Sequence, residues 1–336
     1  MAILPHWLKW ALPAALLAAL SFALAFLYSP VAIAPADVVA ALYHAITDSE
    51  YHAIAERLVI ESRLPRILVG ILCGATLAVS GLLLQTMTRN PLASPSLLSI
   101  NAGAALGVIL TTAFAPAFLR GISLSVAAAV GGALSWSLVM WISYQGGRLQ
   151  QSRLILAGIA VSAFCLALGK AAMIIAEDQA VGVLRWLAGG MTNMNWGKLS
   201  AYWLFALLPV LPLVWLTPKL NLLRLSDDAA QSLGLSVRHL RLLINVIVLV
   251  WVGASVATTG PIAFIGLLVP HLARFWIGYD LRLAVPMCAL LGALFLVAAD
   301  LLAIAIAYPG QLQAGAVIAI LGAPCFVILA KRRIEK

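Results

Sequence analysis

The sequence predicts an all-α, polytopic membrane protein of about ten transmembrane helices with both termini in the cytoplasm. Composition comes first: 63% of the 336 residues are apolar and 10% are charged, whereas soluble domains carry roughly 25% charge. Mean hydropathy is +1.05. Run length comes second, because residues 67–88, 121–147 and 242–273 contain no Asp, Glu, Lys or Arg. A hydrocarbon core of about 30 Å needs roughly 20 helical residues to cross it. Backbone polar groups in lipid must be paired internally, so these runs are helices or a closed barrel. Barrel strands alternate apolar and polar residues, and these runs do not.

Breaking the apolar runs at charges, Pro and Gly gives spans near 10–34, 64–86, 93–115, 121–145, 153–175, 199–217, 241–259, 262–277, 283–304 and 312–330. The first follows Lys9 and is longer than the apolar region of a signal peptide, so it reads as an uncleaved helix. With the N-terminus in the cytoplasm, fourteen of the 21 basic residues fall on that side against four acids. The positive-inside rule therefore favours this orientation and an even number of spans. Two connections exceed simple turns. Residues 177–198 fall outside, where Trp186 and Trp196 suit the interface and a short helix is expected. Residues 219–241 form the largest cytoplasmic loop, in which Ser226 can cap a helix begun by Asp227 and Asp228 and Gly234 can end it. The whole chain, 1–336, reads as a single transmembrane domain carrying this loop.

Several chemistries lack their residues. The sequence has no GxxxxGK[ST] phosphate cradle, HExxH or GxSxG, so neither ATP hydrolysis nor these hydrolytic reactions are expected of this chain. Ion-coupled carriers are expected to hold acids at mid-membrane. Only Asp300 lies deep in a span, toward its outer end. Cys73, Cys165, Cys288 and Cys325 sit in apolar runs without CxxC or Cys/His clustering, and the five histidines are scattered. The cysteines read as small apolar residues, and no metal site or nucleic-acid surface is expected. His271, after a proline, reads as hydrogen-bonded to the adjoining turn. Lys170 lies about 25 Å up the fifth span from Arg153, near the outer mouth. There it either snorkels to the interface or, with Arg185, attracts an anionic ligand.

The punctuation between spans carries further information. Arg63-Leu64-Pro65-Arg66 opens a glycine-rich helix that ends near Gln85, followed by Arg89-Asn90-Pro91-Leu92-Ala93-x-Pro95. Downstream come Leu223 to Gly234 (L-x-L-x-D-x-x-A-x-x-L-G), Gly260 to His271 (GPIAFIGLLVPH), Asp280-Leu281-Arg282 and Ala299 to Ala303 (ADLLA). In this order they resemble the permease subunit of bacterial ATP-binding-cassette importers for iron-siderophores and cobalamin, over roughly residues 60–330. The runs NPLASPSLL, LILAGIAVSAFC, LNLLRLSD and FIGLLVPHLARFW look most like ferric citrate permeases.

The resemblance implies a coupling helix at Leu225, Asp227, Ala230, Leu233 and Gly234 that rests on the ATPase. It implies docking of a binding protein at Arg63 and Arg66, a path near Lys170 and Arg185, and structural signatures at Gln85, Asn90, Pro91, Gly266, Pro270, His271 and Asp300. Ile304 stands where relatives carry arginine, removing a docking contact. The implied partners are a second permease (the same or a homologous chain), a cytoplasmic ATPase dimer that binds the ATP, and a periplasmic or lipid-anchored substrate-binding protein. The implied location is the bacterial inner membrane, surrounded by lipid. The expected cargo is an Fe(III) chelate, ferric citrate foremost, with siderophore or cobalamin transport and ion-coupled secondary transport as alternatives.

Overall fold

The structure is a computed structural model describing residues 8–27, 33–47, 53–114, 124–145, 148–175, 182, 184–192 and 194–334. Its helices are α1 (Leu8–Phe26), α2 (Pro35–Thr47), α3 (Ile54–Leu58), α4 (Leu64–Thr88), α5 (Ile100–Phe114), α6 (Leu124–Ser143) and α7 (Gln151–Ile175). They continue as α8 (Trp196–Leu207), α9 (Val210–Leu220), α10 (Asp227–Ser232), α11 (Val237–Thr259), α12 (Ile265–Ile277), α13 (Leu281–Ala307) and α14 (Ala314–Ile334). A two-residue antiparallel ladder, β1 (Tyr144–Gln145) with β2 (Arg148–Leu149), joins α6 to α7. Seven described segments are long and apolar enough to cross a membrane, and the helices at 100–114, 265–277 and 314–327 are shorter apolar ones.

The departures from the expected spans have local causes. The 93–115 segment becomes helical only at Ile100, because Pro91 and Pro95 lack N–H donors and Ser99 adopts φ 68°. Span 199–217 divides at Leu208–Pro209 into α8 and α9. The region between the first two spans holds α2, whose N-terminus is closed by the Ala34 N–H donating to Asp37 Oδ2 at 2.7 Å. The ends of the 10–34, 93–115 and 121–145 spans, and part of the 177–198 connection, lie outside the described residues. With the orientation expected from charge, the two ends of the bundle are termed inner (cytoplasmic) and outer.

At the centre stands α4, with 20 of its 25 residues buried. It packs against α8, α11, α12 and α13, while α5, α6 and α7 form a neighbouring group joined through α11. Close approach is achieved with glycine. A Cβ on Gly74 would collide with the Gly292 carbonyl oxygen of α13, and one on Gly81 with the Gly266 carbonyl oxygen of α12. Lipid supplies little hydrophobic force between helices, so such backbone-to-backbone contact is a main source of cohesion. A second apolar cluster at the outer end joins α1, α2 and α3 to α13 through Leu24, Val38, Ala41, Ile60 and Ile304.

Gly81→Val will push α4 away from α12 and cost about 1–3 kcal/mol or more. Its thermal midpoint in detergent will fall and less monodisperse protein will be recovered. Leu211→Ala, at a side chain 81% exposed, will leave both unchanged.

Candidate functional site

At the inner end, one proline organises the local chemistry. Pro270 lies inside α12 and has no N–H, so the Gly266 carbonyl four residues earlier loses its helical donor. Gln85 Nε2 donates to that oxygen at 3.2 Å, and the other side of the same amide accepts from Arg274. The signature residues Gln85, Gly266 and Pro270, far apart in sequence, thus form one clasp. Pro270 does not end the helix, and His271 Nδ1, 2.8 Å from the Leu267 carbonyl, donates to the preceding turn of its own helix rather than to an adjoining cytoplasmic turn. Among the described residues no group of three His, Cys, Asp or Glu could hold a metal. Cys73, Cys165 and Cys288 are buried, whereas Cys325 is exposed.

Just beyond Gln85, Arg89 ends α4 in the left-handed conformation, φ 50°. Asn90 closes the next turn, its Oδ1 accepting from the Leu92 N–H at 2.9 Å, and Pro91 occupies the turn between them. Arg89 then reaches the large inner loop, donating to the Leu223 carbonyl at 2.8 Å and to Asp227 Oδ1 at 2.5 Å. Arg241 grips the same carboxylate with two bonds of 2.9 and 3.0 Å. Ser226 Oγ caps α10 by accepting from the Ala229 N–H at 3.2 Å. Ala230 is fully buried, while Leu225 and Leu233 are 43% and 62% exposed. Gly234 takes φ +80° to turn the chain toward α11. The loop therefore has one side fixed against the bundle and an apolar side that is exposed. Burial alone would raise the pKa of Asp227, but the Arg241 and Arg89 guanidiniums outweigh it and hold the carboxyl below the usual range.

At the outer end, the structure alters the meaning of the R-x-x-R pair. Arg66 is paired within the chain: its Nε and Nη2 donate to Asp300 Oδ2 and Oδ1 at 2.7 and 2.8 Å, and both residues are buried. Arg63 is only 7% exposed. Ile304 is packed among the apolar side chains of α1–α3, so an isoleucine suits a position that is dry here. Asp300, read from sequence as a lone deep acid, is the partner of Arg66.

A cavity of about 840 Å³ opens beneath the outer connection, between residues 184–198 and the start of α14. It is lined by Arg185, Lys198, Thr192, Thr258, Gln311 and Gln313 among others. Gln313 Nε2 bonds Thr192 Oγ1 at 3.4 Å, and the Gly190 N–H donates to the Thr259 carbonyl at 2.7 Å, fixing the wall. Lys170 is exposed on α7 and is not among the lining residues, so Lys170 and Arg185 do not meet here. Lys198 was not singled out from sequence. Its signal is the Asn195 cap, whose Oδ1 accepts from the Lys198 N–H and sets the lysine in the first turn of α8.

This architecture defines a multi-pass transport permease. The chain belongs to the FecCD transport family, whose model matches residues 16–332. It is 49% identical over 335 residues, 97% of each chain, to the Fe(3+) dicitrate transport system permease protein FecC of Escherichia coli K12. The Fe(3+)-citrate import system permease protein YfmD of Bacillus subtilis is 40% identical over 82% of each chain. A solved ABC transporter described as of metal-chelate type, in an inward-facing conformation, superposes with a TM-score of 0.81 at 26% identity, covering 98% of this chain and all of that one.

Arg66→Met will strand the Asp300 charge in a dry site and cost about 3–5 kcal/mol. Adding Asp300→Leu will recover most of the loss, as read by thermal unfolding in detergent. At the inner end, a depressed carboxyl stabilises the fold above its ordinary value and loses that contribution as pH falls through the lowered one. A spin label on Ser232→Cys will thus stay immobile from neutral pH down to about pH 4 and loosen below it. With Asp227→Asn it will be loose at pH 7.

Proposed function

We propose that this chain is the transmembrane subunit of a binding-protein-dependent importer in a bacterial inner membrane, carrying an Fe(III) chelate, ferric citrate foremost. The observation that carries the reading is 49% identity to a ferric dicitrate permease across 97% of the chain. The vitamin B12 import permease of Vibrio cholerae is 35% identical over 84% of the chain, which favours the chelate. Relatives named as import-system permeases speak against an ion-coupled carrier.

On this reading a separate ATPase dimer binds the ATP and rests on Leu225 and Leu233. Movement of those ATPases reaches the membrane core without slack. The loop is held to α4 by Arg89 and Asp227, and α4 to α12 by Gln85. The polar cavity with Arg185 and Lys198 receives the anionic chelate at the outer side. Lys170 is exposed on α7, on the surface we assign to a second permease and the path between the two. A periplasmic or lipid-anchored binding protein delivers the chelate. Since Arg66 is committed to Asp300, its docking contribution is to hold the outer surface in shape, with Arg63 beside it.

Uptake of radioactive iron citrate by whole cells, normalised to permease in the membrane, tests the reading. Each cation near an anionic chelate is worth on the order of 1–4 kcal/mol at about 4 Å. Arg185→Gln with Lys198→Gln will therefore lower uptake by about tenfold or more. Lys170→Glu will lower it more than Lys170→Met if α7 lines the path. Leu225→Asp with Leu233→Asp will abolish uptake at normal protein level. Full uptake by both double variants would overturn the assignment.

A further inference from the structure

A groove of about 560 Å³ runs between α4, α8–α9 and α13, from mid-membrane to the inner end. Its walls are almost entirely hydrocarbon, with Ala75 and Val79 on one side, Leu213 and Val214 on the second, and Val285 and Ala289 on the third. The sequence makes this space. Pro209 breaks the span into α8 and α9, and the small side chains of Ala75, Ala206 and Ala289 leave volume where larger ones would fill it. Thr76 also borders the groove, but its hydroxyl is satisfied inside the bundle by Tyr202 and Ser255 at 2.9 and 3.2 Å. The Thr217 hydroxyl, also in the wall, donates to the Leu213 carbonyl at 2.7 Å, so the wall offers an occupant mainly apolar contact.

The inner mouth differs in kind. Arg282, one residue into α13, is exposed there and lines the groove. Among the described residues no carboxylate lies within ion-pair distance of its guanidinium. Asp280 is the acid in this turn; its Oδ1 accepts from Asn221 at 2.8 Å and from the Arg282 backbone N–H at 3.0 Å, and its charge feels Arg282 and Arg224 through space without forming an ion pair with Arg282. On the rim, Lys219 Nζ lies 3.9 Å over the Trp215 ring, and Trp215 and Leu211 are 65% and 81% exposed. An exposed Trp–Lys pair at a span end is the pattern of a membrane interface.

We propose that this groove is a phospholipid site: it takes one acyl chain from the inner leaflet and holds the anionic headgroup phosphate at Arg282. The groove opens between membrane-spanning helices, where lipid is the surrounding solvent, and basic pockets between helices on the cytoplasmic side favour anionic headgroups. Charge at the mouth gives selectivity, and apolar walls give length-dependent affinity. This site shares no lining residue with the outer cavity, so it stands apart from the transport reading.

The test uses purified full-length protein, stripped of endogenous lipid and exchanged against vesicles of phosphatidylethanolamine with either phosphatidylglycerol or phosphatidylcholine. Bound lipid is counted by native mass spectrometry. Wild-type protein should retain one phosphatidylglycerol in preference to phosphatidylcholine. Arg282→Gln should erase that preference, lowering phosphatidylglycerol occupancy about tenfold through loss of a charge-assisted contact. Ala289→Phe should exclude both lipids. Val214→Trp fills the same space from α9 and replaces it if the first variant is not monodisperse. Equal lipid retention by wild type, the charge variant and a folded filled variant would overturn the proposal. Disulfide trapping of Val214→Cys with a second copy in membranes would also overturn it, assigning the groove to a protein interface.

Discussion

Along α4, Arg66 and Gln85 lie 19 residues apart, about 28 Å on a helix rising 1.5 Å per residue. That nearly equals the roughly 30 Å of hydrocarbon. Each is a polar side chain on a helix buried on most sides, and each is answered by a distant part of the chain: Asp300 at one end, and the Gly266 carbonyl with Arg274 at the other. Between them the glycine contacts with α12 and α13 set the spacing. Eight residues separate Arg66 from Gly74 on α4, and eight separate Gly292 from Asp300 on α13. The ion pair and the glycine contact therefore fix one antiparallel register. A one-residue slip would break both together.

The inner clasp links this register to the surface. Pro270 would be a defect in an isolated helix, since it leaves a carbonyl bare in a region without water. Here the bare carbonyl becomes the attachment point for α4. Four residues past Gln85, Arg89 turns the chain and binds the loop that carries Leu225 and Leu233. A force on that loop meets hydrogen bonds and ion pairs all the way to the bundle's centre, with no flexible linker among them.

Much of this was legible in sequence because local chemistry is strong there. Uncharged runs announced the spans, Ser226 announced the cap of α10, and the N-P-L-A turn announced the break after α4. What escaped was set by distance or by context. Nothing near Arg66 in sequence identifies Asp300 as its partner, 234 residues later, so an arginine at a span end read as exposed charge. Ile304 read as a missing contact because neither α2 nor the cluster that covers it was expected. Pro209 divided a span because an apolar run does not reveal whether a proline kinks a helix or ends it. Lys198 was passed over because its meaning depends on Thr192 and Gln313 across a cavity.

The glycine seams also bear on leakage. Where backbones touch at Gly74–Gly292 and Gly81–Gly266, no side-chain-sized gap is left between α4 and these two neighbours, and protons and ions are denied a wire along those two seams. A membrane that stores energy as an ion gradient tolerates a carrier of large cargo only if its resting state is tight. Here tightness comes from the smallest side chain available, in the helix that also sets the register of its neighbours.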